Sequence, residues 1–299
     1  MIGIKSKKRV GILRGGAGKN YNSSLKHGGE IISHIFENLS DKYKTFDILI
    51  DKDYIWHFNG VPIDPGDLVY KIDVVWNTTH PSFSNILDNL AIPNIGNSSF
   101  SHALENSKEM LQEHMKQIGV QMPRSYTIKK ALGHSPMGEA KEVFEKFPAP
   151  WIVKSFTEDS NIGIHLAKTF NELVGSIEDG VKHEKSILVE EFISGKVVSV
   201  HSVPQFRGKD IYIFPLGNSF GDFSIAEKEK LTNLVKDLHK HIGAKQYLKS
   251  DFVLTPRGKV YLLQIESMPN LKSNSHFSQV CESVGAKMHH VVEHILEQV

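Results

Sequence analysis

Two short apolar runs near the end of the chain, Asp251-Phe-Val-Leu254 and Val260-Tyr-Leu-Leu-Gln-Ile-Glu266, flank the segment Pro256-Arg257-Gly258-Lys259. Proline and glycine at that spacing between strand-forming residues predict a β-hairpin. Pairing the two strands brings Asp251 near Gln264 and Glu266, and the last two, being two residues apart, share one strand face. Oxygen donors from two or three side chains, with the remaining positions left to phosphates and water, suit Mg²⁺. The same residues also suit the polar edge of an ordinary hairpin. The hairpin taken alone is compatible with either reading.

The chain of 299 residues can bury a substantial core and is long enough for two or three compact units. With 35 basic and 34 acidic residues, and a formal net charge of +1, it carries no global field that would gather nucleic acid or an anionic membrane. A small-molecule partner is expected instead. A single cysteine, Cys281, excludes an internal disulfide and a cysteine-based zinc site, and fits a reducing compartment. Lys5, Lys7, Lys8 and Arg9 are basic, but the apolar run Val10-Gly-Ile-Leu13 is cut off by Arg14-Gly-Gly16, so no signal-peptide core follows. No run approaches the roughly 18 apolar residues of a membrane span. A cytoplasmic protein is expected. The 16 histidines show no metal-ligand spacing, and His239, His241, His289 and His290 are expected to be packing or surface residues.

Val10-Gly-Ile-Leu13, the glycine turn Arg14-Gly-Gly-Ala-Gly18 and a helical pattern from about Ser24 to Leu39 read as the opening of a βαβ unit. Asp47-Ile-Leu-Ile50 and Asp73-Val-Val-Trp76 add buried strands, and Ile92 to Gly96 closes the unit after a helix from Ser84 to Leu90. One helix is expected from Ser101 through Gly119, after which Met122 to Ile128 begins a different pattern. Strands at Trp151–Lys154, Gly163–Leu166, Ser186–Phe192 and Val197–His201 follow without long crossovers, which predicts an antiparallel α+β lobe. A helix from about Ala226 to Ile242, the hairpin and a single terminal helix from about Phe277 to Gln298 complete the expected order.

The turn Gly15-Gly16-Ala17-Gly18-Lys19 invites comparison with phosphate-cradling loops. A Walker loop would need glycine where Leu13 stands and Ser or Thr where Asn20 stands; the dinucleotide fingerprint would need glycine at Tyr21. Two readings remain: a strand-to-helix turn requiring positive φ, or a ligand-facing turn at the C-terminal edge of a parallel sheet.

Taken in order, the strand with Gly15-Gly16, Ile92-Pro93-Asn-Ile-Gly96, Ser107-Lys108, Gly119-Val-Gln-Met-Pro123, Trp151-Ile-Val-Lys154, Ser160-Asn161-Ile-Gly163, Leu188-Val-Glu190-Glu191-Phe192-Ile193-Ser-Gly195, Lys249-Ser-Asp251 and Gln264-Ile-Glu266-Ser-Met-Pro269 resemble the ATP-grasp superfamily. The resemblance runs nearly end to end and is greatest to the D-alanine–D-alanine ligases. It implies a mixed α/β and α+β fold: a parallel-sheet, Rossmann-like substrate domain over 1–100, then two α+β lobes, 101–185 and 186–299, that clasp ATP, the second holding the metal site. It implies that Lys108 and Lys154 meet the α- and β-phosphates and that Ser160 and Asn161 belong to a small-residue loop over them. Glu190 would accept from the adenine amine, with Glu191, Phe192 and Ile193 forming the hinge beside the ring. Asp251, Gln264 and Glu266 would hold Mg²⁺ or Mn²⁺, and Lys249, with Ser160, would be catalytic, Lys249 facing the acyl oxygen where the family usually has arginine. The reaction implied is ATP-dependent formation of an acyl phosphate followed by attack of an amine, here giving a dipeptide for peptidoglycan, with amino acids as partners. A homodimer is compatible with the resemblance.

Several positions depart from the family pattern. Gln264-x-Glu266 reverses the usual order of acid and amide, and Val197 stands where an acid binds ribose. Asn22 replaces the glutamate that receives the first substrate's ammonium, Asn270 replaces a glycine near the second substrate, and Asp159 replaces a phosphate-loop glycine. Ser275 keeps the place of the residue that holds the second substrate's carboxylate. The segment Ile213 to Gly221 is short for the family's active-site lid. Asn22 and Asn270 favour a ligase for another amino acid or small acid; Val197 and the short lid favour a catalytically silent nucleotide-binding relative. Gly217-Asn-Ser-Phe-Gly221 has the Gly-x-Ser-x-Gly spacing but belongs to the lid segment of the resemblance, and no basic patch is present, so Ser-His hydrolysis and DNA binding are not expected.

Overall fold

The computed structural model describes residues 6–16, 18, 20–129, 135–155, 163–183, 186–216 and 223–299. The chain forms two compact units. The first comprises Met1–His102, Ser199–Ser250 and Ile265–Val299; the second comprises Ala103–Val198 and Asp251–Gln264.

The chain begins with β1 (Lys8–Gly15), α1 (Tyr21–Asn38), β2 (Tyr43–Ile50), β3 (Trp56–Phe58), β4 (Val61–Pro62), a 3₁₀ turn (Pro65–Tyr70), β5 (Val74–Asn77), α2 (Ser82–Asn89) and β6 (Asn94–Ile95). These strands make one sheet in the order β4-β3-β2-β1-β5-β6, parallel from β2 through β6 and antiparallel at the β3 and β4 edge. Successive residues face opposite sides, and both sides are apolar. Val10, Ile12, Val74 and Trp76 pack with Ile31 and Ile35 of α1, whereas Leu13, Ile48, Ile50 and Val75 pack with Leu87 and Ile92. This two-sided burial is why the strands read as short continuous apolar runs. The β3–β4 hairpin was not anticipated, although its turn, Asn59-Gly60, has the positive φ values (48° and 84°) that this dipeptide supplies.

The helix expected from Ser101 through Gly119 is two helices, α3 (Ser99–Asn106) and α4 (Lys108–Gln117). Ser107 separates them: it adopts extended φ/ψ and its hydroxyl accepts from the Met110 amide as an N-cap. Then come β7 (Ser125–Lys129), α5 (Pro136–Lys146), β8 (Trp151–Ser155), β9 (His165–Ala167), α6 (Phe170–His183) and β10 (Ser186–Glu191). The sheet β7-β10-β8-β9 is antiparallel throughout. Its Trp151, Val153, Ile187 and Val189 pack on Ala140 and Val143 of α5 and Leu173 and Ile177 of α6. By alternation Lys154 and Glu190 belong to the opposite face.

The remaining elements are β11 (Lys196–Pro204), β12 (Ile211–Ile213), α7 (Ile225–Ile242), β13 (Leu248–Leu254), β14 (Val260–Glu266), α8 (His276–Ser283) and α9 (Met288–Glu297), with the strands ordered β12-β11-β13-β14. The expected hairpin is therefore present as β13–β14. The single terminal helix is not: Gly285 takes φ +68°, and the Gly285 and Ala286 amides bond back to Glu282 and Cys281, ending α8. No described helix is long and apolar enough to cross a membrane.

The glycine turn after β1 has Gly15, Gly16 and Gly18 at φ +88°, +84° and +119°. The Gly15 amide donates to Ser24 Oγ at 2.9 Å and the Gly16 amide to the Ile50 carbonyl at 2.7 Å. Both donors are thus committed within the first unit, which favours the strand-to-helix reading of this turn. Ala17 and Lys19 lie outside the described residues. A Cβ on Gly15 would stand 2.3 Å from the Ile50 carbonyl oxygen. Gly15→Ala should therefore destabilise the protein by at least about 2 kcal/mol, from left-handed strain plus that clash, and urea unfolding should show the loss, whereas Gly18→Ala, with nothing within 4 Å, should cost less.

Candidate functional site

Lys108 is the first residue of α4, directly after the Ser107 cap. A cation there opposes the positive end of the helix dipole and needs a compensating anion. Glu190, on the sheet face opposite α5 and α6, supplies it: Lys108 Nζ lies 2.6 Å from Glu190 Oε1, and Lys154 Nζ lies 2.6 Å from Glu190 Oε2. Lys154 reaches Glu190 because it stands opposite Leu188, on the same face and two residues along the neighbouring strand. The Lys108 and Glu190 side chains are only 6% and 5% exposed, while Lys154 keeps 21%. Lys108 also donates to the Leu263 carbonyl.

Burial alone would push the Glu190 carboxyl up, but the ammonium groups of Lys108 and Lys154 outweigh it and hold that carboxyl below the usual range. Two cations face one anion, so the cluster retains one positive charge at the sheet surface. Such a partly neutralised group of donors is suited to receive a further anion.

Glu191 points the other way. Arg124 grips it through Nε and Nη2, each at 2.9 Å, and the Glu191 amide donates to the Arg124 carbonyl at 2.8 Å. Its side chain is therefore tied to the end of β7, away from the Lys108–Glu190–Lys154 cluster. Phe192 is 39% exposed and its amide donates to the Pro150 carbonyl at 3.0 Å; Ile193 is half-buried. Val197 is exposed. Arg124 had no signal in the sequence that linked it to Glu191, from which it is separated by 67 residues.

On the hairpin, Asp251 is buried and accepts from Gln264 Nε2 at 2.8 Å within the second unit. Glu266 belongs to the first unit, where Lys249 Nζ donates to its Oε1 at 2.8 Å. The reversed acid–amide order thus has a local consequence: the amide meets the Asp251 carboxylate without like-charge repulsion, and the acid meets a lysine. The carboxylate of Asp251 and the amide oxygen of Gln264 are hard donors of the type that Mg²⁺ takes. Among the described residues no group of three or more His, Cys, Asp or Glu is placed to hold a metal ion.

In the first unit Asn22 is exposed in the first turn of α1, and Asn270 is exposed after β14. Ser275 caps α8: its hydroxyl accepts from the Ser278 amide at 3.1 Å and donates to the Asn270 carbonyl at 3.0 Å. Ser160, Asn161 and Asp159, and positions 217–222 of the lid segment, lie outside the described residues. His239, by contrast, is a packing residue, bonded to Ser202 Oγ and the Ala244 carbonyl at 2.8 Å each.

Removing the shared carboxylate tests the cluster. Glu190→Gln leaves two ammonium groups facing each other and should cost about 3–5 kcal/mol, the range for breaking a buried pair. Tripolyphosphate should raise the melting temperature of this variant more than that of the unmodified protein, since it replaces the lost charge. A carboxyl depressed in the folded state contributes at neutral pH and loses that contribution as pH falls through its folded value. The gap between variant and parent should therefore close in acid.

The model of the family described as D-ala D-ala ligase C-terminus matches residues 114–207 and 221–297. A D-alanine–D-alanine ligase of Geotalea uraniireducens (strain Rf4) is 23% identical, over 97% of this chain and 94% of that protein. The VanG D-Ala:D-Ser ligase from Enterococcus faecalis superposes with a TM-score of 0.76 at 17% identity, covering 98% of this chain and 99% of that one. The D-alanine–D-alanine ligase from Bacillus anthracis complexed with ATP superposes with a TM-score of 0.71 at 17% identity, covering 97% and 96%. The fold is thus that of these ATP-grasp ligases. With the family model matching more than half of its length, the chain belongs to the D-alanine–D-alanine ligase family, as a divergent member.

Proposed function

We propose that this protein is an ATP-dependent ligase that converts the carboxylate of one small amino acid to an acyl phosphate and joins it to the amine of a second, as a D-alanine–D-alanine ligase would in making a peptidoglycan precursor. The observation that carries the reading is the cluster in which Lys108 and Lys154 share the buried Glu190 within a chain of this family. ATP would enter as the missing anion: its phosphates take the lysine ammonium groups, and Glu190 holds the two lysines in place until then. Glu190 would also accept from the adenine amine. Glu191 would contribute through its main chain, because its carboxylate is committed to Arg124. Phe192 and Ile193 would border the ring, and Ser160 and Asn161 would bind the phosphates.

Asp251 and Gln264 would hold a divalent ion, Mg²⁺ or Mn²⁺, with Glu266 as a further donor. Such an ion, when bound, would supply positive charge against the negative charge that develops during transfer. Lys249 would stabilise negative charge on the acyl oxygen. Its pairing with Glu266 keeps the ammonium oriented. Asn22 would meet the first amino acid, and Ser275 and Asn270 the second.

Incubation with ATP, Mg²⁺ and D-alanine, followed by mass detection, should yield ADP, phosphate and the dipeptide. Omitting the divalent ion should abolish turnover. Lys108→Ala and Lys154→Ala should each weaken ATP binding roughly 10- to 150-fold, as expected for a lost charge-assisted hydrogen bond. ATP affinity within twofold of the parent in both variants would overturn the phosphate site.

Asn22 favours a second reading, a ligase for another amino acid or small acid, because an exposed neutral amide offers an ammonium only a dipole. If D-alanine is the natural acid, Asn22→Glu should increase its use, measured as kcat/KM. If D-alanine stays inert in both proteins while another acid is activated by the parent, the different-substrate ligase is the correct assignment.

A further inference from the structure

Strand β11 carries His201 between Val200 and Ser202, with only 3% of its surface exposed. An imidazole in so apolar a setting must have both ring nitrogens satisfied. His201 Nδ1 lies 2.7 Å from the Tyr247 hydroxyl, and Nε2 lies 2.8 Å from Nδ1 of His276. Phe277 stacks on the His201 ring at 4.7 Å and also packs against Tyr247. The three polar groups therefore form a hydrogen-bonded line that runs from the buried Tyr247 to the half-buried His276. His276 is the first residue of α8, immediately after Ser275.

Burial pushes the His201 pKa well below the ordinary histidine value, and His276 and Lys249 lower it further. His201 is therefore neutral, with one N–H, and the line has two settings. In one, Tyr247 donates to Nδ1 and Nε2–H donates to His276. In the other, Nδ1–H donates to the Tyr247 oxygen and Nε2 accepts from His276 Nδ1–H. Only the second accommodates an imidazolium at His276, which must donate from both nitrogens. The tyrosine hydroxyl, able to donate or accept, lets the line switch between them.

We propose that His276 is the base that takes the proton from the attacking amine of the second amino acid, with His201 and Tyr247 as positioning residues that hold its ring and set its tautomer. This rests on the ligase reading above. An ammonium has no lone pair. It must lose one N–H proton, here to His276 Nε2, before its nitrogen forms the C–N bond to the acyl carbon. The C–O bond to phosphate then breaks with its electron pair leaving on phosphate, and the nitrogen's second surplus proton passes to the released phosphate or to water. Ser275, adjacent in the chain, and Lys249, within electrostatic reach of His201, are the residues proposed above for the second substrate and the acyl oxygen. Among the described residues, the titratable and charged groups that bear on His201 include Tyr247, His276 and Lys249, the last paired with Glu266.

The two chemical steps can be separated in the full-length protein. Hydroxylamine is neutral at neutral pH, needs no base, and traps an acyl phosphate as the hydroxamate. His276→Gln keeps a hydrogen-bonding group beside His201 but cannot accept a proton. Hydroxamate formation from the first acid and ATP should stay within twofold of the parent in this variant, which also shows that it is folded. The kcat for dipeptide formation at neutral pH should fall roughly 10²- to 10⁴-fold, the activity should climb with pH as free amine accumulates, and added imidazole should restore part of the rate. Tyr247→Phe should move the acid limb of the parent's pH profile to lower pH, because the imidazolium loses its relay, with a smaller fall in kcat. A His276→Gln variant that makes dipeptide at the parental rate with the parental pH profile would overturn the proposal and leave the histidine pair as core packing. Failure of the parent to form hydroxamate with any small amino acid would instead overturn the ligase reading, and this proposal with it.

Discussion

A carboxylate buried between two ammonium groups is stable only while all three stay in register, since moving any one leaves uncompensated charge in a poorly hydrated place. Glu190 imposes that condition on the second unit. It fixes the start of α4 through Lys108 and the end of β8 through Lys154. The strand that carries it is already locked by Val189 and Ile187 against α5 and α6. Packing on one face of β10 thus sets the position of a charge cluster on the other. The excess positive charge of the cluster is the physical basis for expecting a phosphate-bearing ligand there.

Alternation along β10 has a second effect. Glu190 and Glu191 are neighbours in the chain but face opposite sides, and each is neutralised by a different partner: two lysines for one, Arg124 for the other. A similar division holds on β13 and β14, where Gln264 meets Asp251 and Glu266 meets Lys249. Each acid in this region is matched by a cation or an amide. The reversed order of amide and acid is thereby compatible with a well-satisfied hairpin, and it changes which residue would have to release a protein partner to reach a metal ion.

In the first unit the expected substrate residues differ in how free they are to act. The Ser275 hydroxyl accepts from the α8 cap amide and donates to the Asn270 carbonyl, so a carboxylate there would compete with that carbonyl for the hydroxyl proton. Asn22 has no such commitment to a cap; it stands exposed at the start of α1. The His201–His276–Tyr247 line lies beside the cap and is a polar network, buried at His201 and Tyr247, that no sequence motif pointed to. A histidine within a valine-rich strand was the only signal, and it would serve equally for a packing residue such as His239.

Strand periodicity, the Pro-Arg-Gly turn and the ordered motifs made the β13–β14 hairpin, the parallel sheet and the antiparallel lobe legible in the sequence, because these depend on local alternation and turn chemistry. Lys108, Lys154 and Glu190 were legible as separate candidates through the family resemblance. Their convergence on one carboxylate was not, since it depends on strand pairing and on where α4 begins. The breaks at Ser107 and Gly285 escaped because a helical period continues across both, and only the cap geometry shows that the backbone turns. Partner choice is the general case: the sequence determined which residues stand on which element and face, while the tertiary structure decided that Glu191 binds Arg124, Glu266 binds Lys249 and His201 binds His276. Those pairings join residues 17 to 75 positions apart, and a pairing at that distance is set by how packed elements align rather than by any local preference of the chain.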